Sequence, residues 1–349
     1  MIHGGDTLSF KDFYKGELVD FSSNINPLGL PEGLDEKLIE GFSSLTAYPD
    51  IHYRKLKKSL AEYLKCGIEN ILVGNGAVEI IDNFIMTASR VLIFRPAFAE
   101  YELRALVHKK EVEYISYNED FEINLRDLEG KIKAGDLLIL GNPNNPTGLR
   151  IGRETLLGLY RITRKVGAYL LLDEAFYEFC PEDYDSIEIF KDRAYEGVGI
   201  IRAATKFFSL PGIRLGYACA SIDKVDEIEK LELPWSVNSL GDIAGQFIFK
   251  DRDFIERSKA YIEEERNFLL EGLRKIRGIR VYKTHTNYIL IRLENWDEDY
   301  VFKYFLSRGI VIRKCSSFSG LDGNHIRIAI KDREKNRKLL RIFQDLSNN

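Results

Sequence analysis

Between residues 71 and 220 short, almost purely apolar runs recur along the chain. They are ILVG at 71–74, VLIF at 91–94, VEYIS at 112–116, DLLILGN at 136–142, AYLLLD at 168–173, VGIIRA at 198–203 and RLGYACA at 214–220. Runs this apolar and this short predict strands covered on both faces. Several of the intervening segments, such as 79–88 and 154–164, repeat apolar residues three and four apart and predict helices. Strands alternating with helices predict an α/β domain around a mostly parallel sheet, with ligands at the turns that follow the strands. After Leu233-Pro234-Trp235 the pattern changes. It predicts a long helix over 252–276, strands at 279–282 and 288–293, a helix at 298–307, strands at 310–313 and 326–330, and a charged closing helix. This second pattern reads as a smaller α+β domain. The first forty residues show no period and read as an arm folded with the small domain. The expected division is therefore 1–40 for the arm, 41–235 for the large domain and 236–349 for the small one.

A length of 349 residues suits two domains, and 45% hydrophobic with 30% charged residues excludes a disordered chain. The net charge of −4 gives no global basic field for nucleic acid or an anionic membrane. No apolar run is long enough to span a bilayer, and MIHGGDTLSF lacks the shape of a secretion signal. Cys66, Cys180, Cys219 and Cys315 are scattered without CxxC spacing, which points to reduced thiols and a cytoplasmic location. The five histidines have no metal-ligand spacing, so no metal is expected.

Four segments carry candidate chemistry. GNGAVE at 74–79 follows a strand and opens a helix; Glu79 stands where a dinucleotide fingerprint has its third glycine, so the turn reads as an anion site at Gly76 and Ala77, or as a structural turn. GNPNNPTG at 141–148 sets amide side chains on a proline-stiffened turn at the sheet's ligand edge. Asp173 ends an intensely apolar strand, where a carboxylate is costly unless paired with a cation or a metal; with no histidine ligand set beside it, a buried salt bridge is the plain alternative. Lys206, in TKFFSLPGIRLGY, is a lysine among apolar groups, which favours a neutral, nucleophilic amine; Arg214 follows it.

In this order the segments resemble the fold-type I aminotransferase superfamily, whose members use pyridoxal 5′-phosphate (PLP). The likeness implies an α/β large domain with a smaller α+β C-terminal domain, and residue roles on nearly the whole chain. It implies that Lys206 binds PLP covalently and moves protons, that Asp173 pairs with the ring nitrogen, and that Asn145 meets the phenolic oxygen. Phe98 is implied to stack on the ring, and Gly76, Ala77, Thr205 and Arg214 to hold the phosphate. Arg327, in HIRIAI, is implied to grip a substrate carboxylate. Tyr48 is implied to reach the phosphate of a partner subunit, hence a homodimer with shared sites.

Within the superfamily the chain is similar to the branch of histidinol-phosphate aminotransferases and threonine-phosphate decarboxylases, and more so to the decarboxylases. HGGD, DFSSNINPLGLP, PWSVN and GIVIRKCSSFSGLDGNHIRIAI carry that likeness. It implies conversion of L-threonine O-3-phosphate to (R)-1-amino-2-propanol O-2-phosphate and carbon dioxide in cobalamin biosynthesis, with His3, Asn26 and Arg313 as a second anion site. The alternative is an aminotransferase acting on histidinol phosphate or a related amino acid. Phe176 stands where the aminotransferases carry a tyrosine, and Ala203 where a Ser or Thr phosphate ligand is common; the first favours the decarboxylase and the second removes one phosphate donor.

Overall fold

The computed structural model describes residues 4–348. The chain opens with a two-residue strand, β1 (Val19–Asp20), and two helices, α1 (Leu34–Gly41) and α2 (Arg54–Leu64). The alternating region follows as β2 (Ile71–Asn75), α3 (Ala77–Thr87), β3 (Arg90–Arg95), α4 (Ala99–Val107), β4 (Glu111–Ser116), β5 (Asp136–Gly141) and α5 (Arg153–Val166). It continues through β6 (Tyr169–Asp173), α6 (Ser186–Lys191), β7 (Val198–Ala203), β8 (Leu215–Cys219) and α7 (Ile222–Glu229). These seven strands form one sheet in the order β2-β8-β7-β6-β5-β3-β4. Only β8 runs against its neighbours.

The apolar runs explain this sheet. Along β5 and β6, Leu138, Leu140, Leu170 and Leu172 face one buried cluster, while Leu137, Ile139 and Leu171 face another. Both faces are thus removed from water, at about 1.5–3 kcal/mol for each fully buried aliphatic side chain.

The remainder comprises α8 (Ser239–Ile248), α9 (Arg252–Leu273), β9 (Ile279–Val281), β10 (Tyr288–Leu293), α10 (Glu298–Leu306), β11 (Ile310–Val311), β12 (Arg313–Lys314), β13 (His325–Ala329) and α11 (Arg333–Asn348). Strands β12-β13-β10-β9 make an antiparallel sheet, and β11 pairs in parallel with β1. The single strand expected at 310–313 is therefore split at Ile312, and its two halves serve different sheets. The chain after β1 stays on the small domain: Phe21 N–H donates to the Val311 carbonyl, and Ala329 N–H to the Phe21 carbonyl, both at 2.8 Å.

Helix α8 packs on α2 and β8, where Gly245 brings it so close that a Cβ there would lie 2.3 Å from Leu56 and 2.9 Å from Leu215. The long helix α9 follows, capped by Asp251 through the Phe254 amide at 3.0 Å. Among the described residues no helix is long and apolar enough to cross a membrane.

Candidate active site

A cavity of about 240 Å³ lies where the C-terminal ends of β2, β3, β5, β6 and β7 face the small domain, the edge at which open α/β sheets bind ligands. Lys206 enters it from the turn after β7, beside Ala203 and Thr205. Burial lowers the Lys206 ammonium to about 8, and Arg327 and Lys331 push the same way. Among the described residues no carboxylate is salt-bridged to it.

The turn that carries Lys206 is held by Asn26. Its backbone N–H donates to the Lys206 carbonyl at 3.0 Å, and its Nδ2 donates to the Phe207 carbonyl and to Ser258 Oγ, each at 2.8 Å. Its own carbonyl accepts from Ser209 Oγ at 2.9 Å. Asn26, expected in the second anion site, is thus engaged as a clamp and is not among the residues that line the cavity. Asn24, two residues earlier, lines the cavity instead, and its buried Oδ1 has no partner. Asn-Pro-x-Gly at 26–29 is a turn signature whose first side chain folds back on the backbone, here through the Leu28 amide at 3.1 Å. That signal could have separated the two asparagines.

Among the described residues Asp173, at the end of β6, has no salt-bridge partner. Its Oδ2 accepts from the Tyr101 hydroxyl at 2.7 Å and its Oδ1 from the Ala175 amide at 3.0 Å. Burial raises its pKa, and these two donors oppose the rise. Tyr101, a residue with no assigned part in the sequence reading, lies in α4 and meets Phe98 edge-on at 5.7 Å. Phe98 and Asp173 both line the cavity.

The turn between β2 and α3 is built for an anion. Helix α3 begins at Ala77 with no side-chain cap, and Gly76 adopts φ +79°. A Cβ on Gly76 would lie 2.2 Å from Arg214 Nη2, and one on Gly216 of β8 would lie 2.4 Å from the Ala77 nitrogen. Two glycines therefore let a helix N-terminus and a guanidinium converge. Glu79 turns away from the cavity and accepts from the Asn75 amide at 2.6 Å.

On the small-domain side, Arg327 of β13 binds Asn145 Oδ1 through Nη1 and donates from Nη2 to the Ser22 carbonyl at 2.9 Å. Its Nε is buried without a partner. Because the Asn145 oxygen is engaged, its NH₂ group is the end left for a ligand. Arg313, on β12 directly opposite Arg327, donates to Ser317 Oγ at 2.7 Å and also lines the cavity, with Gly4 of the arm nearby.

Tyr48, expected to reach a partner subunit's phosphate, is 78% exposed and stacks on Trp235 at 4.4 Å. His3 lies outside the described residues. Among the described residues no group of three or more His, Cys, Asp or Glu could hold a metal.

The donor set fits PLP. Among the described residues, a lysine amine and a buried carboxylate that each lack a salt-bridge partner surround one cavity with an anion turn that a single Cβ would fill. Their chemistry matches an aldehyde, a ring nitrogen and a phosphate on one molecule.

Comparison with known proteins agrees. A protein of Caldanaerobacter subterraneus subsp. tengcongensis that carries the provisional name threonine-phosphate decarboxylase is 40% identical over 99% of this chain and 93% of its own. The threonine-phosphate decarboxylase of Salmonella typhimurium is 34% identical over 95% and 91%. The crystal structure of the histidinol-phosphate aminotransferase from Clostridium acetobutylicum superposes with a TM-score of 0.91 at 39% identity, covering 95% of this chain and 100% of that one. Residues 16–343 match the family model described as aminotransferase class I and II. With its fold, its cavity and its relatives in agreement, the chain is a member of the aminotransferase class I and II family, whose cofactor is PLP.

Proposed function

We propose that this protein decarboxylates L-threonine O-3-phosphate, giving (R)-1-amino-2-propanol O-2-phosphate and carbon dioxide for cobalamin biosynthesis. The observation that carries this reading is the pair Arg313 and Arg327, buried and opposed across β12 and β13 in one cavity with Lys206. Two permanent cations so placed suit a substrate with two anionic groups, a carboxylate at Arg327 and a phosphate at Arg313. Asn24, with its unpartnered side-chain Oδ1, offers the substrate a third polar contact.

PLP is held in this reading by Lys206, by Asp173 at the ring nitrogen, by the Asn145 NH₂ at the phenolic oxygen, by Phe98 against the ring, and by Gly76, Ala77, Thr205 and Arg214 at the phosphate. Bound there, PLP supplies an electron sink for the pair released when a bond at Cα breaks. The protein's part is orientation and proton handling. Anchoring carboxylate and phosphate at once fixes rotation about Cα, and so decides which of its bonds is poised to break. The Lys206 Nζ, held near 8, can carry a proton to Cα after carbon dioxide leaves. Phe176 gives the phenolic oxygen no second donor; its ring packs edge-on against Tyr288 at 5.0 Å.

The same reading makes the enzyme a homodimer. Phe42 and Leu45 are each 53% exposed and Tyr48 is 78% exposed; they suit a face for a second copy, with Tyr48 directed at the partner's phosphate site. The four free thiols fit a reducing cytoplasm.

The relative at 39% identity keeps an aminotransferase in view, and one experiment separates the two. PLP-loaded enzyme is given L-threonine phosphate with no 2-oxo acid. Carbon dioxide and the amine are expected in equal amounts over many turnovers. Turnover that begins only when a 2-oxo acid is added would sink the decarboxylase reading and leave amino transfer.

A further inference from the structure

We infer that Tyr101 is a positioning residue for the cofactor: its hydroxyl keeps the Asp173 carboxylate ionised and aimed at the ring nitrogen. The inference rests on the assignment of Asp173 to that nitrogen.

Three observations converge on it. Tyr101 is 2% exposed, and its hydroxyl meets Asp173 Oδ2 at 2.7 Å. The other oxygen has a single donor, the Ala175 amide at 3.0 Å. No cation stands within salt-bridge range of the acid among the described residues, and burial raises its pKa. Two neutral donors oppose that rise, and only one of them is a side chain.

A phenol suits this place for a physical reason. An arginine or lysine would neutralise the carboxylate and compete with a protonated ring nitrogen for its charge. A purely apolar residue would leave a buried carboxylate one donor short, and a protonated acid cannot hold a proton on the ring. Tyr101 supports the charge without cancelling it. It stays a donor, since burial and Asp173 push its own ionisation far upward. Its ring also packs edge-on against Phe98 at 5.7 Å, so the acid and the cavity's aromatic wall are held by one side chain.

The test compares wild type, Tyr101→Phe, Asp173→Asn and the double variant. It reads the PLP dissociation constant, the pH titration of the bound cofactor's visible absorption, and melting of the cofactor-free protein. Tyr101→Phe is expected to weaken PLP binding about ten-fold, the loss of one hydrogen bond to a charged group, and to shift the absorption titration. Melting of the cofactor-free protein is read beside it, so that a lost fold is not taken for lost binding. In the Asp173→Asn background the same change should cost less than about two-fold, because its target is gone. Equal costs in both backgrounds, or no change in binding and titration, would overturn the inference. If Asp173→Asn itself leaves binding and absorption untouched, the assignment of Asp173 falls, and the inference falls with it. Should Tyr101→Phe not fold, 3-fluorotyrosine at position 101 keeps the ring and strengthens the donor. It must shift the titration in the direction opposite to Asp173→Asn, and a shift in the same direction would reject the inference.

Discussion

Arg313 of β12 and Arg327 of β13 are register partners, two buried guanidiniums facing each other across an antiparallel ladder. Like charges so placed destabilise a sheet. Burial lowers Arg313 to about 10, and Arg327 adds to the effect. Burial lowers Arg327 as well. The pair is a standing cost in the free protein that the proposed substrate, with its two anionic groups, would relieve.

Arg313→Ala should therefore raise KM for the phosphorylated substrate about 100-fold, the loss of a charge-assisted contact of about 2–3 kcal/mol. PLP affinity should stay within about two-fold, because the anion turn at Gly76 and Arg214 is separate. Arg313→Lys should recover only part of the loss, since an ammonium cannot bind phosphate in a fork. Steady-state kinetics beside a PLP titration check this. Equal losses for both ligands would place Arg313 in the cofactor's phosphate site.

The two asparagines of SSNIN should part company. Asn24→Ala removes an unpartnered cavity group and should raise KM with little change in stability. Asn26→Ala removes buried bonds to the Phe207 carbonyl and Ser258 Oγ, and should cost about 2–3 kcal/mol of stability. Urea denaturation beside kinetics separates them. A stability loss for Asn24→Ala as large as that for Asn26→Ala would mean the roles are misassigned.

The contrast shows what the chain makes legible before it folds. The seven large-sheet strands are readable because both faces are buried, so each prints an uninterrupted apolar run such as LLIL at 137–140. The lysine, the acid and the anion turn are readable because each sits at the end of such a run. What pairs with them is not. Tyr101 lies 72 residues from Asp173 and carries no local period that marks it as a donor. The exchange of partners at Ile312, which sets Arg313 opposite Arg327, depends on β1 arriving from the far end of the chain. Helix α2 is flanked by Tyr53 and Lys65, both left-handed and neither a capping residue that sequence would flag.

Gly76→Ala tests the anion turn. The added Cβ would lie 2.2 Å from Arg214 Nη2 at a residue held at φ +79°, so either the guanidinium or the helix start must move. PLP affinity should fall about ten-fold or more, with a backbone cost of about 1–3 kcal/mol. Gly212→Ala in the lysine-bearing loop is the control: a Cβ there meets nothing within 4 Å, and it should bind PLP as wild type does. The cofactor retained per protomer after desalting reads both, and full retention by Gly76→Ala would remove the turn from the phosphate site.

The depressed Lys206 ammonium makes two predictions of fixed sign. Its folded value is about 8 against 10.5 for a free lysine. Between those values the unfolded chain holds a proton that the folded chain has released, so stability rises with pH across that window. Below about 8 both states are protonated and the slope vanishes. Relative to Lys206→Met, cofactor-free wild type should gain about 3 kcal/mol between pH 8 and 10.5. Subtracting the variant removes every other group that titrates there. The same value governs reaction with the cofactor's aldehyde, which needs the neutral amine. The rate of PLP uptake should climb about ten-fold per pH unit below 8 and level off above it, whereas a solvated lysine would keep climbing toward 10.5. A flat stability difference, together with uptake that still accelerates at pH 10, would mean that the amine is hydrated and that Arg327 and Lys331 do not act on it.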